Sequence, residues 1–295
     1  MRSRNFPVLM DIESSGPFHQ AFRTMQRLLF MGVLLAVSAL PLTARQADGL
    51  GAAAAVSQGS AAARPVLPSS RMLEDRPILY AVREHATVYS HPDSSQAYVQ
   101  LKLREPVYEM GREGAWHQVR TFDGAQGYIH HSAVSNVWIR VSKSKRTLYL
   151  YRGVDLVKKI PVDLGYNFFA DKERRGGPNE PDHWRTPDGV FFVAQKNPHS
   201  QFYKAFVLNY PTAEDADRGL RQGLISKAEH AAIVRAEHTF QIPPMHTALG
   251  GWIEIHGAGT GARSNWTQGC IAIQNASLDA IWDLVAVGTP VLVEP

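Results

Sequence analysis

The chain has 295 residues, room for one large or two modest domains, and 44% of them are apolar, which is ample for a packed core. It carries 31 basic and 27 acidic residues, a formal charge of +4. Residues 1–44 hold Arg2, Arg4, Arg23 and Arg27 against Asp11 and Glu13, so without them the counts are 27 and 25, a net charge near +2. With no basic helix carrying interleaved aromatics, that balance excludes a dedicated nucleic-acid binder.

Residues 28–42 read LLFMGVLLAVSALPL, an apolar run behind Arg23 and Arg27. It is shorter than the ~20 residues of a comfortable membrane span. Its basic leader and small-residue exits, VSA and LTA, fit a secretory signal peptide over 1–44, cleaved near Ala39 or Ala44. An uncleaved anchor is the alternative. Asp11 and Glu13 are unusual in a leader, and Met25 would begin a cleaner one. The expected location is the periplasm or cell envelope, with the membrane touched only during export. Residues 45–75, rich in Ala, Gly, Ser and Pro without apolar periodicity, read as a flexible linker.

From Arg76 to Trp138 the texture becomes strand-like. ILYAV, ATVYS, AYVQLKL, PVYEMG, WHQVRT and GYIHHSAV alternate apolar and polar positions, with HPDSS, REGA and FDGAQG as turns between them. Short strands at this spacing predict a small β-barrel. The stretch ATVYSHPDSS, followed by GAWHQVRTFDGAQGYIHHSAV with Trp116, Gly127 and Tyr128, resembles a bacterial SH3-like domain. That resemblance implies either binding to wall peptides or a structural brace for the C-terminal domain.

Residues 139–295 are also strand-dominated. IRVSKSKRTLYLYRGVDLVKKIPVDLG predicts an antiparallel ribbon turning at Arg152-Gly153. VFFVAQKN, AFVLNYP, WIEIHG and TPVLVEP predict further strands. Ser226 and Glu229 form a capping-box pattern ahead of a helix reaching about Glu237. Asn275 is positioned to cap a last helix, with Gly288 as its stop. The expected class is therefore mainly β with helical insertions (α+β). The charged loop 167–184 and the insertion 212–249 are both candidate lids.

The chemistry is concentrated in Gly250 to Asn275, GGWIEIHGAGTGARSNWTQGCIAIQN. Cys270 is the chain's one cysteine, so it is an inert buried thiol, a dimer link or a reactive nucleophile. A thiol nucleophile needs a base, and His256 at a strand end is connected to it by a glycine-rich loop long enough to bring the two together. Gly269 lets the backbone turn closely, so amides near Gly269 and Cys270 would face an oxyanion. GAGTG does not run from a strand into a helix, which makes it a poor phosphate loop. His130, His131, His183, His199, His230, His238 and His246 show no metal-ligand spacing.

His256-Gly257, then Thr267, Gly269 and Cys270, match the HG…[S/T]xGC pattern of the L,D-transpeptidases, which this stretch resembles. IRVSKSKRTLYLYRG, RTPDGVF (Arg185 to Phe191), NPHSQFYKAFVLNYP and GTPVLVEP resemble further family segments, so the resemblance covers about 139–295. It implies a β-sandwich catalytic domain and no metal or organic cofactor. Cys270 would attack the L-to-D amide of a tetrapeptide stem of peptidoglycan, with His256 as base and proton donor to the leaving D-residue. Gly257 would orient His256 through its backbone. A thioester would pass to an amine acceptor. Partners would be stem peptides and, as acceptor or substrate, a wall-attached protein. Arg185, Thr186, Tyr203, Tyr210, Thr267 and Gln268 are candidate substrate-binding residues, although turn and core roles are equally open for the first four. Where the family commonly has SHGCIR, this chain has Gln268 and Ala272, and so lacks a fixed guanidinium for a carboxylate. Hydrolysis, as an L,D-carboxypeptidase or an amidase, and a non-catalytic wall-binding scaffold are the alternatives.

Overall fold

The structure is a computed structural model that describes residues 76–295; the expected signal peptide and linker lie outside the described residues. Seven strands come first: β1 (Ile78–Ala81), β2 (Ala86–Tyr89), β3 (Ala97–Leu101), β4 (Pro106–Glu113), β5 (Trp116–Thr121), β6 (Gln126–His130) and β7 (Val134–Ser135). They form one antiparallel sheet in the order β3-β2-β6-β5-β4-β1-β7, whose edge strands β3 and β7 do not pair. Alternation drives its core: Leu79, Val88, Val107, Val119 and Ile129 are buried together, and in β2, β4, β5 and β6 the residues on either side of them are partly or fully exposed.

The second sheet begins with β8 (Val137–Ser142), β9 (Thr147–Arg152) and β10 (Asp155–Pro161). The expected turn joins β9 to β10, with Gly153 at φ +60°. Five of the six β9 residues are buried because both faces are covered. Leu148 and Leu150 join the main core, and Tyr149 and Tyr151 pack with Trp138. β10 is an edge, and its exposed Lys158 and Lys159 guard it against further pairing.

Next come β11 (Leu164–Gly165), β12 (Gly189–Ser200), β13 (Tyr203–Leu208), β14 (Glu254–His256), β15 (Asn265–Thr267), β16 (Ile271–Ala272) and β17 (Pro290–Glu294). The eight-stranded sheet runs β10-β9-β8-β17-β12-β13-β14-β16, and β11 pairs in parallel with β15. Strand β12 joins two halves: its first residues pair with β17 and its later ones with β13, with register shifts after Val193 and Asn197.

Three α-helices lie among the described residues: α1 (Ala213–Arg221), α2 (Lys227–His238) and α3 (Asn275–Trp282). Ser226 and Glu229 form the expected capping box on α2, and Thr212 with Asp215 builds a second one on α1. The mainly β class with helical insertions is what the sequence predicts. One local expectation fails. Gln274, not Asn275, is the N-cap of α3, and the helix stops at Trp282, well before Gly288. The Asn275 side chain instead accepts the Ala258 N–H at 2.7 Å, tying the helix to the loop after β14.

Candidate active site

His256 ends β14, and β16 runs parallel to it with His256 opposite Ala272. Cys270 immediately precedes β16. The two-residue period of a strand puts Cys270 and His256 on the same face, one diagonal step apart, about 8 Å between Cα atoms from strand spacing and rise. Both line a cleft of about 870 Å³. Its other walls come from the 172–184 loop (Lys172, Arg175, Trp184), the β12–β13 turn (Phe202), Trp252 just before β14 and Glu254 at its start.

The Cys270 turn is held from inside. Thr267 Oγ1 donates to the Cys270 carbonyl at 2.7 Å and accepts the Gly269 N–H at 3.2 Å. Gly269 has φ +133°, and a Cβ there would lie 2.6 Å from the Arg185 carbonyl, so only glycine fits. Because its N–H is used by Thr267, Gly269 stabilises the turn rather than presenting that amide to the cleft.

The long loop between the two strands is organised by Asp163, fully buried just before β11. Its carboxylate accepts from Thr260 N–H (2.6 Å), Thr260 Oγ1 (2.9 Å), Ser264 N–H (2.8 Å) and Trp266 Nε1 (3.0 Å). Burial pushes the Asp163 carboxyl up, but these bonds outweigh it and hold the group below its usual range.

Gly257 accepts a hydrogen bond from His256 Nδ1 at 2.6 Å. With the proton on Nδ1, Nε2 is the free base. Phe202 stacks on the imidazole at 4.4 Å, and Trp266 meets it edge-on at 6.1 Å. Burial among these rings pushes His256 below the ordinary histidine value. Burial likewise pushes the Cys270 thiol up to about 12. The resting pair is therefore neutral thiol and neutral imidazole. The thiol donates to the Trp252 carbonyl at 3.3 Å. A neutral pair of this kind can react by general-base catalysis, the proton leaving sulfur as the new bond forms.

The other candidate residues divide. Thr267 and Gln268 line the cleft. Arg185 does not: its guanidinium donates to the carbonyls of Asp182 (2.6 Å) and Asp171 (3.1 Å) and organises the 167–184 loop. Thr186 is fully buried and accepts the Gly165 N–H at 3.0 Å. Tyr210 is a core residue whose hydroxyl donates to the Leu249 carbonyl at 3.0 Å. Tyr203 is turned outward to Asp279, 2.9 Å away, while its neighbour Phe202 covers His256. Of the two candidate lids, the 167–184 loop lines the cleft and the 212–249 insertion contributes no lining residue among those described. Sequence reasoning passed over Lys172, Phe202, Trp252 and Asp163. Trp252 and Trp266 lie inside the stretch it singled out and Lys172 inside a candidate lid, but nothing local marks Phe202 or Asp163.

Residues 136–293, more than half of the chain, match the YkuD L,D-transpeptidase catalytic domain. The chain belongs to the L,D-transpeptidase family. Solved structures to which it is similar include an L,D-transpeptidase from Mycobacterium smegmatis, at 16% identity and TM-score 0.32, over 79% of this chain and 88% of that one. Another comes from Mycobacterium tuberculosis H37Rv, at 11% identity and TM-score 0.34, over 78% and 86%. A third is from Xylanimonas cellulosilytica DSM 15894, at 16% identity and TM-score 0.32, over 54% of this chain and 61% of that one. The chain thus spans about three fifths of the Xylanimonas chain. No curated protein matches. Membership of the L,D-transpeptidase family rests on the match over 136–293.

Proposed function

We propose that this protein is an exported cysteine acyltransferase that remodels peptidoglycan stem peptides. Cys270 attacks the L-to-D amide between the third and fourth residues of a tetrapeptide. His256 Nε2 takes the thiol proton and returns it to the departing D-amino acid. The thioester is then passed to an amine acceptor, a second stem or a wall-attached protein. The observation that carries this reading is the shared cleft of Cys270 and His256, with the Gly257 carbonyl fixing the imidazole tautomer. With Gly269 engaged in its turn, the Cys270 N–H is the proposed oxyanion donor.

The proposed organisation is a signal peptide over 1–44, a linker over 45–75, an SH3-like domain over 76–138 and the catalytic domain over 139–295, working in the periplasm or cell envelope. A hydrolytic version of the same chemistry has one observation in its favour. Position 272 is a buried alanine, so no side chain there offers a cation to an acceptor carboxylate. Water would then resolve the thioester, giving a carboxypeptidase or an amidase that releases wall-linked protein.

The test is product analysis of the purified chain incubated with tetrapeptide muropeptides, beside Cys270→Ala. A joined dimer lacking one terminal D-residue, formed only with Cys270, is the expected result. Tripeptide alone would establish hydrolysis. No change with either protein would overturn catalysis on this substrate and leave a wall-binding scaffold.

A further inference from the structure

The described residues bury two lysines almost completely, and their surroundings differ. Lys143 is 1% exposed and pairs with Asp188 at 2.8 Å, while also donating to the carbonyls of Ala170 and Thr186. Lys172 is 4% exposed, and its ammonium reaches only two backbone carbonyls, His183 and Gln268, each at 3.3 Å. A lysine carries three donors, so one remains beyond these two bonds. A buried ammonium without a counter-charge is costly, and such groups ordinarily pair with an anion.

Lys172 nevertheless lines the Cys270 cleft. Gln268, whose carbonyl it holds, is two residues from the thiol. Arg175 stands on the same wall, and it too donates to carbonyls, those of Met245 (2.9 Å) and Thr247 (3.3 Å). The nearby carboxylate of Asp171 is engaged elsewhere, by the Asp188 N–H at 2.8 Å and by Arg218 at 3.8 Å. The backbone of Lys172 is fixed in turn, since Arg218 donates to its carbonyl at 2.9 Å. The result is a preorganised cationic wall beside the thiol, supplied by the 167–184 loop, in a chain whose position 272 is a buried alanine and offers no cation of its own.

We propose that Lys172 is the carboxylate-binding specificity residue of this cleft, receiving the terminal α-carboxylate of the donor peptide and so placing the preceding amide over Cys270. In a peptide with one residue beyond the scissile amide, that carboxylate is separated from the amide nitrogen by a single Cα. A cation beside the nucleophile therefore selects a substrate whose reacting bond is the last one in the chain. An ammonium–carboxylate hydrogen bond is among the strong ones. This rests on the reading of Cys270 as nucleophile toward stem peptides, and the test keeps the two apart.

Because Cys270 is the chain's one cysteine, its alkylation by iodoacetate and by iodoacetamide reports a carboxylate preference without any peptidoglycan. The expected ratio of the two rates, relative to that of free N-acetylcysteine, is about tenfold in favour of iodoacetate. Lys172→Met should abolish that preference and Lys172→Arg should keep most of it. A wild-type ratio equal to that of the free thiol would overturn the proposal, and this arm needs no variant to fold. Equal slowing with both reagents in Lys172→Met would also overturn it, since the cation would then act on the thiolate alone. In parallel, turnover of a tetrapeptide ending in a free acid is compared with one ending in a carboxamide. The wild type should favour the acid by about tenfold in kcat/KM, and Lys172→Met should not distinguish the two. An iodoacetate preference with neither peptide consumed would support the carboxylate site while removing the stem-peptide reading.

Discussion

Burial drives the resting protonation of Cys270 and His256 in the same direction, toward neutrality. The thiol is pushed up to about 12 and the imidazole below its ordinary value. A preformed thiolate–imidazolium pair would show the reverse. The expected alkylation of Cys270 by neutral iodoacetamide therefore rises with pH through pH 10 with no plateau. A plateau below pH 8 would contradict the neutral pair. The same shift acts on stability. The unfolded thiol ionises near 9.0, whereas the folded one stays protonated to about 12. The unfolded chain thus binds fewer protons in that window, and the contribution present below pH 9 is lost as pH rises through it. Cys270→Ala should flatten that alkaline decline in a pH series of urea melts. Two of the sequence's candidate residues show what a string of letters hides at this scale. Thr186 and Tyr210 sit in motif-like surroundings, but their hydroxyls serve Gly165 and Leu249, positions far away in the chain.

The elements around the site depend on a few side chains that span them. Asp163 gathers four donors from residues 260–266, in the segment that connects β14 to β16. Asp163→Asn keeps the shape but replaces one acceptor oxygen by a donor. It should cost roughly 2–3 kcal/mol in urea unfolding and lower Cys270-dependent turnover at least tenfold. Unchanged turnover would mean the loop holds its place without the clamp. The capping box on α2 was legible because Ser226 and Glu229 carry the usual letters. The box on α1 was not, because Asp215 stands where the pattern has Glu or Gln, and only its reach to the Thr212 N–H at 2.9 Å reveals the role. Asn275 misled for the opposite reason. It has the right chemistry for a cap, but the Ala258 N–H competes for its side chain.

At the scale of the whole molecule, the N-terminal sheet is docked on the eight-stranded sheet through buried polar groups. The Tyr80 hydroxyl donates to the Val137 carbonyl at 2.5 Å. The Arg104 guanidinium lies over Phe192 and Phe240, 4.9 and 5.2 Å from their ring centres. Burial lowers Arg104 to about 10, yet it stays charged at neutral pH. Arg104→Ala should weaken this docking by about 1–2 kcal/mol. In calorimetry, one cooperative transition should then separate toward two; a single unshifted transition would show that the sheets are joined by other contacts. The lining residues of the cleft all come from 172–270, so such a variant should leave Cys270 alkylation unaltered.

What the sequence by itself determined was local. Alternation gave the strands, Arg152-Gly153 the hairpin, Ser226 and Glu229 a helix start, and His256 with Cys270 a candidate reactive pair, because each signal is written within a few residues. The tertiary structure alone decided which groups surround that pair. It turned Arg185 into a loop brace, placed Phe202 rather than Tyr203 over the imidazole, and brought Lys172 beside a thiol from which it is distant in the chain. The physical reason is that periodicity and turn chemistry act between near neighbours. Burial, counter-charge and hydrogen-bond partnership arise where distant segments meet, and no local pattern encodes them.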